Sequence, residues 1–202
     1  MIFVQNASES SGRNLHQEYV DIATGLKYTG EWLGEKKWGK GRQVWPDGAT
    51  YEGDWRDDLP EGYGKFCKPN GDLLEGQWRV GKAHGVACFY RADGNDDKDY
   101  FGQGISYEGD WRDGQKHGKG VETWSDGARY NGYYMFDRKH GEGHLTLADG
   151  STYVGDFRNG AIEGKGNYNW INGRCYQGSW VGNKLHGFGQ LTWSEGESYL
   201  GH

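Results

Sequence analysis

The sequence predicts an all-β protein in which β-hairpins stack side by side into one elongated, open, twisted antiparallel sheet shaped like a trough. Three observations predict it: a phrase of 23 residues recurs seven times, polar and apolar residues alternate within each copy, and glycines hold fixed positions. Recurrence at a period of about 20–50 residues is typical of stacked repeats, because each unit buries its apolar face against its neighbours. The apolar content of 34% also argues against a large two-layer core.

The phrase is visible in the stretch YEGDWRDGQKHGKGVETWSDGAR, which begins at Tyr107, and in its counterpart at Tyr51. A glycine follows the opening residue by two positions and an aromatic residue by four, and further glycines follow at eleven and twenty. Because side chains two residues apart share one face of a strand, the opening tyrosine, the glycine and the aromatic residue lie on the same face. The seven copies open at Tyr28, Tyr51, Leu74, Tyr107, Tyr130, Tyr153 and Tyr176.

Each copy predicts two strands joined by a tight turn. Asp113-Gly114 lies where the turn is expected, and such a pair favours a two-residue hairpin. The second strand alternates again, as Leu145 and Leu147 show, and a loop around the glycine at position twenty leads to the next copy. A lone hairpin is marginal in water, so the aromatic faces of successive hairpins are expected to pack into a ladder.

The glycine at position two is expected to make room for an aromatic ring of the neighbouring copy. Replacing Gly53 or Gly132 with Val is therefore expected to create a clash and to lower the melting temperature by several degrees.

The pattern Tyr-x-Gly-x-Trp, followed by Gly-x-Gly and by Asp-Gly or Asn-Gly, resembles the MORN repeat. The resemblance extends over seven full repeats, from Tyr28 to about Ser198. It implies an elongated, open antiparallel β-solenoid that serves as a scaffold or docking surface. MORN repeats occur in membrane-junction, ciliary and cytoskeletal proteins, and as appendages of lipid kinases and a lysine methyltransferase. The resemblance therefore implies the fold more narrowly than the function.

The repeats predict a division of the chain into six segments. These are a flexible N-terminal segment (1–18), a degenerate half-repeat that caps the stack (19–27), repeats one to three (28–94), an acidic insertion loop (95–106), repeats four to seven (107–198) and the start of an eighth repeat (199–202). Because a sheet that stops within a repeat leaves backbone groups unpaired, the sequence also predicts a chain that continues in a longer protein.

The aromatic face is the first candidate site. A sheet with no second layer leaves part of its rings uncovered, and Tyr and Trp dominate binding hot spots. The hypothesis is a groove that receives a helix or an extended peptide of a protein partner, with self-association through an uncapped edge as a further prediction. The alternative is that packing between repeats consumes the rings. The second strands add Trp124, Trp170 and Trp193 to this face. The groove residues are Tyr28, Trp32, Tyr51, Trp55, Trp78, Tyr107, Trp111, Tyr130, Tyr134, Tyr153, Phe157, Tyr176 and Trp180.

Basic residues near the hairpin turns are the second candidate site. A row of cations along one edge would contact phosphoinositides or another anionic membrane surface, at about 1 kcal/mol for each Lys near that surface. The alternative is that these side chains only solvate and protect exposed turns. The cations are Lys36, Lys37, Lys82, Lys116, Arg138, Lys139 and Lys184.

Composition excludes several function classes. The net charge of −6 argues against a nucleic-acid partner. Three cysteines without CxxC spacing indicate neither a disulfide framework nor a zinc site, and they favour a reducing, cytoplasmic location, with cytoskeletal or membrane association as an option. No run of apolar residues approaches the roughly 18 that a membrane span needs.

Motif spacing predicts no catalytic residue, no cofactor and no metal. The stretch from Gly34 to Gly41 nearly matches a P-loop but lacks the final Ser or Thr that binds magnesium. Equivalent histidines of successive hairpins lie about 10 Å apart, too far to share one ion. These histidines are His84, His117, His140 and His186. The sequence thus predicts a non-catalytic scaffold; the alternative to direct binding is a targeting region of a larger enzyme.

Overall fold

The computed structural model describes residues 2–4, 13–92 and 105–202. These parts of the chain form strands, turns and loops, so the all-β prediction is confirmed. In the described residues, no helix is long and apolar enough to span a bilayer. The chain divides into two compact units, residues 1–103 and 104–202, and each is an open ladder of antiparallel strands.

Both units are built from hairpins in chain order, each strand pairing with the next. The strands of the first unit are β1 Ile2–Val4, β2 Arg13–Val20, β3 Lys27–Leu33, β4 Lys36–Val44, β5 Thr50–Arg56, β6 Leu59–Cys67, β7 Leu73–Arg79 and β8 Lys82–Tyr90. Those of the second are β9 Ile105–Arg112, β10 Gln115–Thr123, β11 Arg129–Met135, β12 Arg138–Thr146, β13 Thr152–Arg158, β14 Ala161–Asn169, β15 Cys175–Val181, β16 Lys184–Thr192 and β17 Ser198–Gly201.

The turns form where the sequence predicts them. At the tip of the β9–β10 hairpin, Asp113 and Gly114 have φ of 52° and 87°, the left-handed pair that a two-residue turn between twisted strands requires. In the loop between β4 and β5, Gly48 has φ of 91°, and the Asp47 carboxylate accepts a 2.9 Å hydrogen bond from the Ala49 N–H. Turn chemistry therefore fixes both ends of each repeat.

A bulge in the second strand of four repeats uses a carboxylate that the sequence places on the polar face, from Glu31, Asp54, Asp110 or Asp156. The β5–β6 register shifts between Gly53 and Trp55, and Gly62 takes φ of 77° opposite this point. The Asp54 carboxylate accepts a 2.9 Å hydrogen bond from the N–H of Tyr63 within the bulge. A backbone donor that would otherwise lose its ladder partner is thereby satisfied.

The core of each unit is a continuous series of edge-to-face aromatic rings, so the predicted ladder is confirmed. Each opening tyrosine contacts the aromatic residue of its own repeat. Contacts with the aromatic residue of the next repeat are made by Tyr28, Tyr51, Tyr107, Tyr130 and Tyr153. Tyr28, for example, packs 5.1 Å from Trp32 and 5.3 Å from Trp55, measured between ring centres. The same geometry, at 5.0–5.5 Å and 81–89°, recurs through both units. Such pairs add about 0.5–1.5 kcal/mol each beyond the area they bury.

The position-two glycine makes room for a different ring from the one expected. Gly53 and Gly64 face each other across the β5–β6 hairpin, and the ring of Tyr51 lies over both. A Cβ on Gly64 would lie 2.2 Å from the Tyr51 hydroxyl oxygen, and one on Gly53 would lie 2.4 Å from the Gly64 Cα. The space is therefore filled by the tyrosine of the same repeat and not by a neighbour's ring.

The structure adds a strand, β2, before the first full repeat. Residues 13–18 were expected in a flexible segment and 19–27 in a half-repeat without a first strand, whereas β2 runs from Arg13 to Val20 and pairs along β3. Tyr19 lies opposite Tyr28 and packs 5.9 Å from the ring of Trp32. At the other end, β17 pairs with β16 in the register of a first strand. Most of the predicted insertion, residues 95–104, lies outside the described residues.

Candidate functional site

The thirteen aromatic residues predicted to line a partner groove form the core instead. Each has at most 9% of its surface exposed, and Tyr28, Tyr51, Tyr107, Tyr130 and Tyr153 are fully enclosed. Their hydroxyls also have partners: Tyr51, for instance, donates a 3.1 Å hydrogen bond to the carbonyl of Asp54. Rings enclosed to this degree offer no contact area, so their assignment as groove residues is corrected. Packing within and between repeats encloses them, as the contacts of Tyr51 with both Trp55 and Trp78 illustrate.

Apolar side chains of the second strands, and of the residues that directly follow these strands, lie on the same face and remain partly exposed. In the first unit, Phe66 packs 6.3 Å from Trp78 and 5.8 Å from Trp45 without being enclosed. In the second unit, Tyr168 lies against Trp180 in the same manner. We call these side chains of the second unit the open row. Its members are Trp124, Leu145, Tyr168, Trp170, Leu191 and Trp193.

The seven predicted membrane cations do not share one environment. Four lie on exposed positions near the turns, and of these Lys36 forms a 2.9 Å ion pair with Asp57. The pKa of Lys36 is raised by that hydrogen bond. The other three are partly buried against aromatic rings on the core face. The exposed four are Lys36, Lys82, Arg138 and Lys184, and the partly buried three are Lys37, Lys116 and Lys139.

All three partly buried lysines stand nine residues after the opening tyrosine of their repeats, and we call this place position nine. The Lys37 ammonium lies 5.2 Å from the centre of the Tyr28 ring and 5.0 Å from that of Trp55, and it donates a short hydrogen bond to the Gln43 side-chain oxygen. Burial lowers the pKa of Lys37. Other repeats place Pro60 or an aliphatic residue at position nine. Alternation carried through the second strand would have assigned position nine to the core face, and the sequence analysis missed that signal.

Glu122 is a functional candidate that sequence reasoning did not identify. Its carboxylate forms an ion pair with the Lys116 ammonium and accepts a 2.7 Å hydrogen bond from the Tyr134 hydroxyl. The Lys116 ammonium also lies 4.7 Å from the centre of the Tyr107 ring. Burial, then the hydrogen bond to Glu122, raises the pKa of Tyr134. The available signal was a charged residue at position fifteen, which is aromatic or aliphatic in most repeats.

A charged cluster is formed by Lys116, Glu122, Tyr134 and Lys139. Within it, Lys139 is the ammonium without a hydrogen-bond acceptor. Its ammonium lies 4.5 Å from the centre of the Trp124 ring and 5.3 Å from that of Tyr130. Among the described residues, no side chain forms a hydrogen bond or an ion pair with this ammonium. The pKa of Lys139 is lowered by burial and by the charge of Lys116, against the opposing effect of Glu122.

Other sequence features lie apart from this cluster. The stretch from Gly34 to Gly41 forms a hairpin tip and part of β4, so it lacks the strand–loop–helix setting of a P-loop. The His117 ring packs edge-on, 5.5 Å from Phe136. In the described ranges, no three His, Cys, Asp or Glu side chains are grouped closely enough to hold a metal ion.

The family model of the MORN repeat matches seven successive stretches: residues 28–50, 51–73, 75–96, 107–129, 130–152, 153–173 and 176–198. This chain belongs to the MORN-repeat family. The matches confirm the predicted seven repeats and the break after the third. A search of curated proteins returns no match.

Two solved structures that are similar to this chain have low TM-scores. The SAS-4 (dCPAP) TCP domain of Drosophila melanogaster, in complex with a proline-rich motif of Ana2 (dSTIL), is 11% identical with a TM-score of 0.45, and the match covers 98% of this MORN-repeat chain and 97% of that one. The TCP10 domain of Danio rerio CPAP, in complex with a peptide of STIL, is 13% identical with a TM-score of 0.31, covering 91% and 81%.

Proposed function

We propose that this MORN-repeat chain is a non-catalytic scaffold that binds a helix or an extended peptide of a protein partner. The observation that carries the proposal is the open row of the second unit. Its side chains lie on the core face, Trp193 is 39% exposed, and no layer within the described part of that unit covers them. Aromatic side chains that are half-packed and half-exposed are typical of binding hot spots.

The strand backbone favours contact through side chains. Each inner strand of the second unit is paired on both edges, so a partner crossing the face of the sheet meets no free ladder groups. Apolar residues of an amphipathic helix or an extended peptide would then pack between Trp124 and Trp170. We also propose a cytoplasmic site of action, at the cytoskeleton or a membrane junction, by resemblance to MORN-repeat proteins; imaging of the tagged full chain tests it.

A pair of Trp-to-Ala variants tests the scaffold function. Trp124→Ala and Trp170→Ala remove partly exposed rings, while Ile171→Ala removes a loop side chain that is 70% exposed. Affinity capture from native extract with the full chain is expected to recover a defined partner that both Trp variants lose and the Ile171 variant retains. Unchanged melting temperatures must accompany the loss. Equal recovery by all three folded variants would contradict the proposal.

A further inference from the structure

Within the proposed scaffold function, the structure points to the chemistry of the partner. We propose that Lys139, with Trp124 beside it, binds the carboxylate of an acidic side chain in the partner peptide. Apolar residues of the same peptide then pack along the open row. The proposal rests on the scaffold function and names the feature that the partner must contain.

The first observation is that Lys139 is not needed to cover the rings. Position nine lies opposite the aromatic residue at position four across the hairpin, and Pro60, Ala83 and Ile162 occupy it in other repeats. Ala83 and Ile162 are buried there, at 2% and 9% exposed. A neutral side chain therefore fills the position without placing a charge in a desolvated site, which is unfavourable when the charge has no counter-ion.

The second observation is the contrast between two neighbouring lysines. Lys116 has the Glu122 carboxylate as its counter-ion, and the second oxygen of that carboxylate is taken by the hydroxyl of Tyr134. Both oxygens of Glu122 are thus engaged. The cluster has two ammonium groups and one carboxylate, so the uncompensated positive charge is that of Lys139.

The third observation is the geometry of Lys139 itself. Its ammonium lies over the rings of Trp124 and Tyr130, at 4.5 and 5.3 Å, and such contacts hold a cation without neutralising it. An incoming carboxylate would accept a charge-assisted hydrogen bond, which is shorter and stronger than one between neutral groups. The burial that lowers the pKa of Lys139 also strengthens this bond, because water competes less.

A peptide carboxylate fits this position better than a membrane surface does. Lys139 is partly buried against rings, whereas Phe136 and Asp137 at the adjacent turn are exposed. A flat array of headgroups would meet the turn first, while a single Asp or Glu side chain can reach the recessed ammonium. Leu185, 47% exposed, and Trp193 lie further along the same unit and are available to apolar residues of the peptide.

Selection from a phage-displayed library of random dodecapeptides tests the proposal with the full chain as bait. Asp or Glu flanked by apolar residues is expected in the selected peptides. For the best peptide, replacing its acidic residue with the amide is expected to weaken binding about 10- to 100-fold. Lys139→Gln is expected to weaken the parent peptide by the same factor and the amide peptide hardly at all. Lys139→Met keeps an apolar side chain over the rings, so it should weaken binding of the parent peptide as much as Lys139→Gln does if the positive charge is what binds the peptide.

Lys184→Gln is the matched control, because it removes one positive charge from an exposed position near a turn of the same unit. It should leave peptide affinity unchanged; a loss equal to that of Lys139→Gln would overturn the site. Selected peptides without an acidic preference would overturn the inference and leave the scaffold function standing. A failure to select any peptide would count against both. Flotation of the chain with phosphatidylcholine–phosphatidylserine vesicles is the remaining comparison. If flotation depended on Lys139 and acidic peptides did not compete with it, the ligand of Lys139 would be a lipid headgroup, and the peptide proposal would be wrong.

Discussion

Replacing Gly64 with Ala tests the contact that defines every repeat. A Cβ at this position would lie 2.2, 2.5 and 2.7 Å from the Oη, Cζ and Cε2 atoms of Tyr51. That ring is fully enclosed and packs 5.1 and 5.2 Å from the rings of Trp55 and Trp78, so it has no space into which to move. The substitution must displace either the ring or a strand.

The expected loss of stability follows from two contributions. Overpacking of an enclosed site costs about 1–3 kcal/mol. Displacement of Tyr51 also removes the hydrogen bond of its hydroxyl to the Asp54 carbonyl, at 3.1 Å, which contributes roughly 1 kcal/mol. The sum of about 2–4 kcal/mol corresponds to a fall in melting temperature of roughly 4–16 °C for a chain of about 200 residues.

Thermal and urea denaturation, followed by tryptophan fluorescence, measure this loss, and two further variants make the result specific. Gly114→Ala changes a turn glycine with φ of 87° and nothing within 4 Å, so its cost is conformational alone, about 1–2 kcal/mol. Tyr51→Leu is destabilising by itself, but added to Gly64→Ala it should cost less than the sum of the two. Additive effects, or a Gly64 variant no worse than the Gly114 variant, would refute the reasoning.

Three further predictions concern a strained turn, a bulge and a buried charge. Val80→Asn is expected to stabilise the chain by roughly 1 kcal/mol in a melting experiment, because Val80 is a β-branched residue at φ of 48°. Asp54→Ala is expected to cost about 1–2 kcal/mol in urea denaturation, because a backbone N–H of the bulge loses its 2.9 Å acceptor. Lys139→Met is expected to raise stability at neutral pH, because burial lowers the pKa of Lys139. Between that lowered pKa and the unfolded value of about 10.4, the unfolded wild-type chain binds more protons than the folded one. The free energy of unfolding of the wild type therefore rises with pH in this range, and the advantage of Lys139→Met becomes smaller.

Each of these predictions has a matched control. Val181→Asn changes an exposed strand residue outside the left-handed region and should bring no gain. Glu52→Ala removes a 3.8 Å surface ion pair with Arg42 and should change stability by less than about 1 kcal/mol. For Lys139→Met, urea denaturation across the alkaline range gives the measurement, and a difference that stays constant with pH would contradict the sign.

The sequence predicted the repeats, the hairpins and the aromatic ladder because these depend on local rules. Alternation along a strand places Tyr51, Gly53 and Trp55 on one face, and Asp113-Gly114 specifies a two-residue turn wherever it occurs. The sequence-based prediction was wrong about which aromatic rings remain exposed, because exposure depends on how several strands enclose each ring. Whether Tyr51 remains exposed is decided by the two glycines beneath it and the two rings beside it, which come from different strands.

The sequence by itself determined that this chain is a series of MORN-repeat hairpins with one aromatic face, because a period of 23 residues and its glycines leave little choice of local structure. Only the tertiary structure decided which side chains of that face remain available to a partner. First-strand rings are enclosed between successive repeats, whereas residues at the ends of the second strands or directly after them, such as Trp124, lie at the margin of that packing. It also decided that Lys116 forms an ion pair with Glu122 while Lys139 does not, since an ion pair depends on distance in space and not on position in a repeat.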